Sequence, residues 1–264
     1  VKRLLAAALL LAGCGAEREP EPDPAAVEMI TAPRRAACEA RVFEETDFTV
    51  CPVDARRDRL ELVVDGPDGA PLRSLAALEQ ALGPRARDVR FAMNAGMYDE
   101  AGRPIGLYVD DGEEERPLNL RQGPGNFHLL PNGVFAVDGD GRMSVTESRR
   151  FRERVPSPRL ATQSGPMLVI DGELHPAFDE DGESRLVRNG VGVRDGRTAY
   201  FVISEDPVSF GRFARLFRDA LGCRDALFLD GSVSSLWDPG AGRRDGYSQL
   251  GPMLVVSRPA THTS

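Results

Sequence analysis

The sequence predicts an α+β fold: largely antiparallel mixed sheets with a few covering helices, in a single domain. Three observations point there. Strand-length segments recur along the chain, joined by tight turns such as Gly66-Pro67-Asp68-Gly69, Pro131-Asn132-Gly133 and Asp195-Gly196. Helical signals are few. The 264 residues, 41% hydrophobic, suffice to bury one real core.

The elements follow in order. Residues 41–50 read as two short strands around a polar turn centred between Glu44 and Glu45. That turn sets Cys38 opposite Cys51 and predicts a disulfide between them. Residues 59–65 alternate toward a strand. Ser74 caps a helix that runs to about Leu82 and stops at Gly83-Pro84. Residues 88–94 and 106–110 are strands. Residues 126–130 and 134–138 flank Pro131-Asn132-Gly133 and are expected to form a hairpin. Strands follow at 142–148 and 166–170, then a hairpin of 190–194 with 198–204. Ser209 caps a second helix whose apolar face is Phe210, Phe213, Ala214, Phe217, Ala220 and Leu221, and Gly222 stops it. Residues 226–230 and 251–257 close the set. Cys223, just past the helix, is expected as a buried thiol.

Composition excludes some partners. The formal charge of −8 argues against nucleic acid. There is no CxxC or HxxxH pattern and no calcium-loop pattern, so neither a metal nor another cofactor is expected. Lys2 and Arg3 precede an apolar run, Leu4 to Leu11, of signal-peptide length. Leu11-Ala12-Gly13-Cys14 resembles a bacterial lipobox, in which Cys14 is lipidated. Residues 1–13 are thus read as a lipoprotein signal and 14–36 as the lipidated cysteine and a Glu/Pro-rich tether. A single domain spans 37–258, and 259–264 are a tail. The chain is expected outside the cytoplasm, held to a membrane through its lipid, in the cell envelope.

Four segments carry candidate chemistry. Leu227-Phe228-Leu229-Asp230-Gly231 ends a buried strand in a carboxylate, with Ser232, Ser234 and Ser235 behind it. Phe91-Ala92-Met93-Asn94-Ala95-Gly96 repeats the plan with an amide, both donor and acceptor. Gln163 and Ser164 stand immediately before the strand that begins at Pro166. Arg188 opens a glycine-spaced strand and could grip an anion bidentately. Each has a plainer reading: a turn aspartate, a turn asparagine, a capped turn, a surface cation. His128 and His175 are distant in sequence, and a lone histidine is more often structural.

Taken together, Asn94-Ala95-Gly96-Met97-Tyr98, Gln163-Ser164-Gly165-Pro166, Arg188-Asn189-Gly190-Val191-Gly192, Leu229-Asp230-Gly231 with Ser234-Ser235, and Gly251-Pro252-Met253 resemble the phosphodiester glycosidase family. The resemblance covers roughly residues 38–257 and is closest to the exported bacterial branch. It departs at Ser232 and Val233, where much of the family carries two more glycines. It implies hydrolysis of a sugar-phosphate diester at the glycosidic bond. On that reading Asp230 and Arg188 are catalytic: Asp230 stabilises positive charge or activates water, and Arg188 holds the phosphate. Asn94, Gly96, Gln163, Ser164, Gly231, Ser234 and Ser235 bind substrate. Glu205 and Asp206 are candidates for a second carboxylate. The alternative is an envelope lipoprotein that binds glycan or wall polymer without turnover. A serine hydrolase built on Ser164 or Ser232 with His128 or His175 lacks the GxSxG signature.

Overall fold

Glu44 and Glu45 both take positive φ, 46° and 58°, the pair of left-handed residues that a two-residue hairpin turn requires. In the computed structural model, which describes residues 34–246 and 249–259, this turn joins the first two strands. Their register pairs Glu39 with Val50 and Phe43 with Thr46. One step beyond, Cys38 and Cys51 are joined in the expected disulfide. The signal, Cys14 and most of the tether lie outside the described residues, as does most of the tail.

Strands are numbered in chain order. The first sheet runs β1 (Glu39–Phe43), β2 (Thr46–Asp54), β13 (Thr198–Ser204), β12 (Asn189–Val193), β14 (Asp225–Asp230), β10 (Met167–Ile170), β11 (Glu173–Leu174). The second runs β16 (Arg243–Arg244), β15 (Leu236–Asp238), β4 (Val89–Asn94), β17 (Met253–Ser257), β3 (Arg59–Val63). The third runs β6 (Glu113–Arg116), β5 (Tyr108–Asp110), β9 (Pro158–Ser164), β7 (Gly133–Asp138), β8 (Met143–Glu147). The ladders are antiparallel throughout the described residues, as the tight turns imply.

The sheets share one core. Phe91 of β4, Phe135 of β7 and Phe201 of β13 meet there, one from each sheet, with ring centroids 5.8 Å and 5.3 Å apart. Each ring is essentially buried and stabilises the fold by about 1.5–3 kcal/mol. Each sheet also buries its other face under one helix. Helix α1 (Leu75–Leu82) packs Leu75 and Leu78 on the second sheet. Helix α2 (Ser148–Arg154) packs Phe151 on the third. Helix α3 (Phe210–Arg215) packs Phe213 and Ala214 on the first. Ser74 and Ser209 cap as expected, accepting from the amides of Ala77 and Arg212. Gly192 lets the helical segment approach, since a Cβ there would press on Phe217 and Cys223.

Three expectations are corrected. Residues 126–130 and 134–138 do not form a hairpin. Asn126–His128 is a 3-10 turn with Phe127 buried, and β7 pairs with β8 and β9 instead. The cause lies in the backbone: the Pro131 and Asn132 carbonyls accept from Met167 and Ser148, while the Asn132 amide group donates to the Phe127 carbonyl. The second helix is α-helical only to Arg215. Leu216–Ala220 forms a π turn, which rotates Leu216 onto the buried face. Gln163 and Ser164 do stand before a strand, β10, but not in a capped turn: they are themselves the end of β9, the centre of the third sheet.

Candidate functional site

Four strand ends meet at one edge of the core. β4 ends at Asn94, β9 at Ser164 and β14 at Asp230, and β12 begins at Asn189. Polar side chains cluster there because each strand delivers one as its apolar alternation ends. Asn94 and Asn189 join the second sheet to the first. The Asn189 amide donates to the Asn94 carbonyl at 2.8 Å and to its Oδ1 at 3.2 Å. Asn94 Oδ1 also accepts from the Ser235 amide at 2.8 Å. Ser234 Oγ donates to the Asp230 carbonyl at 3.0 Å and lies 3.3 Å from Asn189 Oδ1. These groups are buried, so breaking any link strands a polar atom, at a cost of about 1–3 kcal/mol. The network fixes the Asp230–Ser235 turn.

Asp230 is only 9% exposed. Its Oδ1 accepts from the amides of Ser232 at 2.6 Å and Val233 at 3.3 Å. Burial pushes its carboxyl above the usual carboxylate range, and the backbone amides of residues 231–233 pull part of that back. Gly231 is packed close: a Cβ would stand 3.0 Å from Phe228 and 3.4 Å from Arg188.

Arg188 lies beneath this turn, fully buried. Its Nε donates to the Val208 carbonyl at 2.8 Å and one Nη to the Ser184 carbonyl at 2.9 Å. The guanidinium stacks 3.6 Å over the Phe210 ring. The other Nη has no partner among the described residues, and burial lowers the pKa to about 10.

The remaining candidates are placed as follows. Gly96 donates its amide to Thr162 Oγ1 at 3.2 Å, and a Cβ there would overlap the Gln163 carbonyl. Gln163 spends its side chain on the protein: Oε1 accepts from Leu107 and Asn119, and Nε2 donates to the Asn119 carbonyl and Ser148 Oγ. Ser164 Oγ donates to the Leu229 carbonyl. Ser235 Oγ donates to the Val233 carbonyl. Glu205 is engaged with Thr49 and Arg243. His128 lies against the Arg121 carbonyl, and the buried His175 stacks on Phe178. No histidine bonds to Ser164 or Ser232 among the described residues.

The sequence reading gave Asn189 no role, although its amide holds the centre of the network. Two neighbouring residues were also missed. Tyr98 follows the Asn94–Gly96 segment, and Arg73 lies over its ring, 5.6 Å from the centroid. Burial and the nearby Asp230 charge push the Tyr98 phenol up to about 12. Tyr98 belongs to the Asn94–Tyr98 motif; nothing local in the sequence marks Arg73.

Comparison with known proteins bears on the same segments. The family model described as phosphodiester glycosidase matches residues 87–255. The uncharacterized protein YigE of Escherichia coli (strain K12) is 33% identical over 188 residues, 71% of this chain and 73% of that one. The catalytic domain of zebrafish N-acetylglucosamine-1-phosphodiester alpha-N-acetylglucosaminidase, auto-inhibited by its pro-peptide, superposes with a TM-score of 0.57. It is 14% identical, and the match covers 84% of this chain and 81% of that one. A hypothetical protein from Synechocystis gives the same TM-score, 0.57, and identity, 14%, over 84% of this chain and 61% of its own. These two likenesses concern the fold alone.

Proposed function

Because the chain belongs to the phosphodiester glycosidase family, we propose that it hydrolyses the glycosidic bond of a sugar-phosphate diester, with Asp230 as the reacting carboxylate. The observation that supports this most is the placement of Asp230. It is a nearly buried carboxylate at a strand end, with one oxygen tied to backbone amides and its turn locked by Asn94, Asn189, Ser234 and Ser235.

The bond from the sugar's anomeric carbon to the phosphate oxygen breaks, and its electron pair leaves with the phosphomonoester. Phosphate leaves readily, so little proton help is needed. Asp230 stabilises the cationic sugar carbon and takes a proton from the water whose oxygen replaces the phosphate; the proton then passes to solvent. Arg188 adds positive potential beneath the turn and anchors the Ser184 and Val208 segments against it. Gln163 acts by holding the wall at Leu107 and Asn119. The reaction runs outside the cytoplasm, in the bacterial cell envelope. The Cys38–Cys51 disulfide fits an oxidising compartment, and no helix among the described residues is long and apolar enough to cross a membrane.

The test is sugar release from a panel of sugar 1-phosphodiesters. Wild type releases free sugar, and Asp230→Asn lowers kcat/KM by about 10²-fold or more. A folded Asp230→Asn protein with full activity sinks the assignment. A second reading, glycan binding without turnover, is favoured by Ser232 and Val233 folding over Asp230. Binding to envelope fractions without any release supports it.

A further inference from the structure

Tyr98 follows the Asn94–Gly96 segment beside the Asp230 turn, and its ring is packed by two neighbours. The Arg73 guanidinium lies over it. The Cα of Gly251 lies so close that a Cβ there would overlap the ring. The backbone is held as well: Tyr98 bridges to Pro104, and the Ile105 amide donates to the Met97 carbonyl. These contacts restrain the ring, and its hydroxyl has no hydrogen-bond partner among the described residues.

Arg73 is incompletely used. Its φ is +61°, a conformation that non-glycine residues adopt at a cost. One Nη donates to Gln249 Oε1 at 2.8 Å, with the Glu100 carbonyl at 3.4 Å. The other packs against Gly102, buried and without a partner. Among the described residues no carboxylate pairs with it. A restrained donor with a cation over its ring, near the Asp230 turn, is an arrangement that suits an anion.

We infer that Tyr98 and Arg73 form the phosphate-recognition side of the site. This deepens the phosphodiester reading and rests on it. The Tyr98 hydroxyl donates to a non-bridging phosphate oxygen, and Arg73 supplies the countercharge from behind the ring. The phenol keeps its proton across the neutral range and so donates throughout it. Arg188, wholly buried with its Nε and one Nη spent on carbonyls, acts from below without contact.

The experiment measures inorganic phosphate binding by calorimetry alongside sugar release. Tyr98→Phe keeps the ring and weakens phosphate binding at least about tenfold. Arg73→Gln weakens it similarly, and Arg73→Lys restores part of it. Asp230→Asn behaves oppositely, with binding equal or tighter and turnover lost. In turnover, Tyr98→Phe raises KM more than it lowers kcat. Phosphate binding in Tyr98→Phe equal to wild type overturns the inference, as does wild type that binds no phosphate. Either result alongside wild-type sugar release leaves the phosphodiester reading standing. Phosphate binding lost in Tyr98→Phe, with no release from any diester, keeps the recognition site and sinks the reaction.

Discussion

Asp230 is held where ionisation is uncomfortable, and that has a measurable consequence. Its folded pKa is raised by burial, so the ionised carboxylate costs stability at neutral pH. The cost is relieved as pH falls through the raised pKa and is gone below the ordinary value of 3.8. Asp230→Asn keeps an acceptor for the Ser232 and Val233 amides and removes the charge. We predict that its melting temperature equals or exceeds that of wild type at pH 7, the margin shrinking on acidification. A variant clearly less stable at pH 7 contradicts this account of the carboxyl. At this scale the sequence was partly legible. Asp230 and Asn94 stand out because a polar residue before a small one ends an apolar run. The consumption of the Gln163 amide was not legible, because its partners come from residues 15 to 56 positions away. Arg73 was invisible for the same reason: its meaning depends on Tyr98 and Gln249.

Among the elements, those defined by turn chemistry were the ones that could be read. The Glu44-Glu45 and Asp195-Gly196 hairpins form where expected. The Pro131-Asn132-Gly133 turn has the right residues, but its carbonyls serve β10 and α2. Strand β9 escaped notice because it is covered on both faces, and its polar Thr162, Gln163 and Ser164 hide the alternation that a half-exposed strand shows. Helix α2 carries four arginine and glutamate residues after its first arginine, with only Phe151 anchoring it. The β1–β2 hairpin yields a prediction of its own. β1 is an edge strand with mostly exposed residues, so packing holds it weakly and the disulfide closes its loop. Cys38→Ser is expected to lower unfolding free energy by about 3 kcal/mol, read from urea midpoints. A midpoint unchanged from wild type would mean that β1 contributes no stability through this link.

At the level of the whole molecule, each sheet buries one face in a common core and the other under a single helix, and the site forms where the strand ends of all three come together. Alternation and turns announce the sheets one at a time, but not how three of them close around Phe91, Phe135 and Phe201. The packing of Cys223 against Gly192, under the α3 segment, has a further consequence. Its thiol is covered and pushed up to about 12 by burial, so the folded chain offers almost no thiolate. Without an attacking sulfur, the bond between Cys38 and Cys51 cannot reshuffle onto Cys223 in the native state. Correct pairing, once reached, is kinetically locked. A thiol-specific reagent is expected to modify Cys223 far more slowly in the folded protein than in urea, and equal rates in the two would contradict this account.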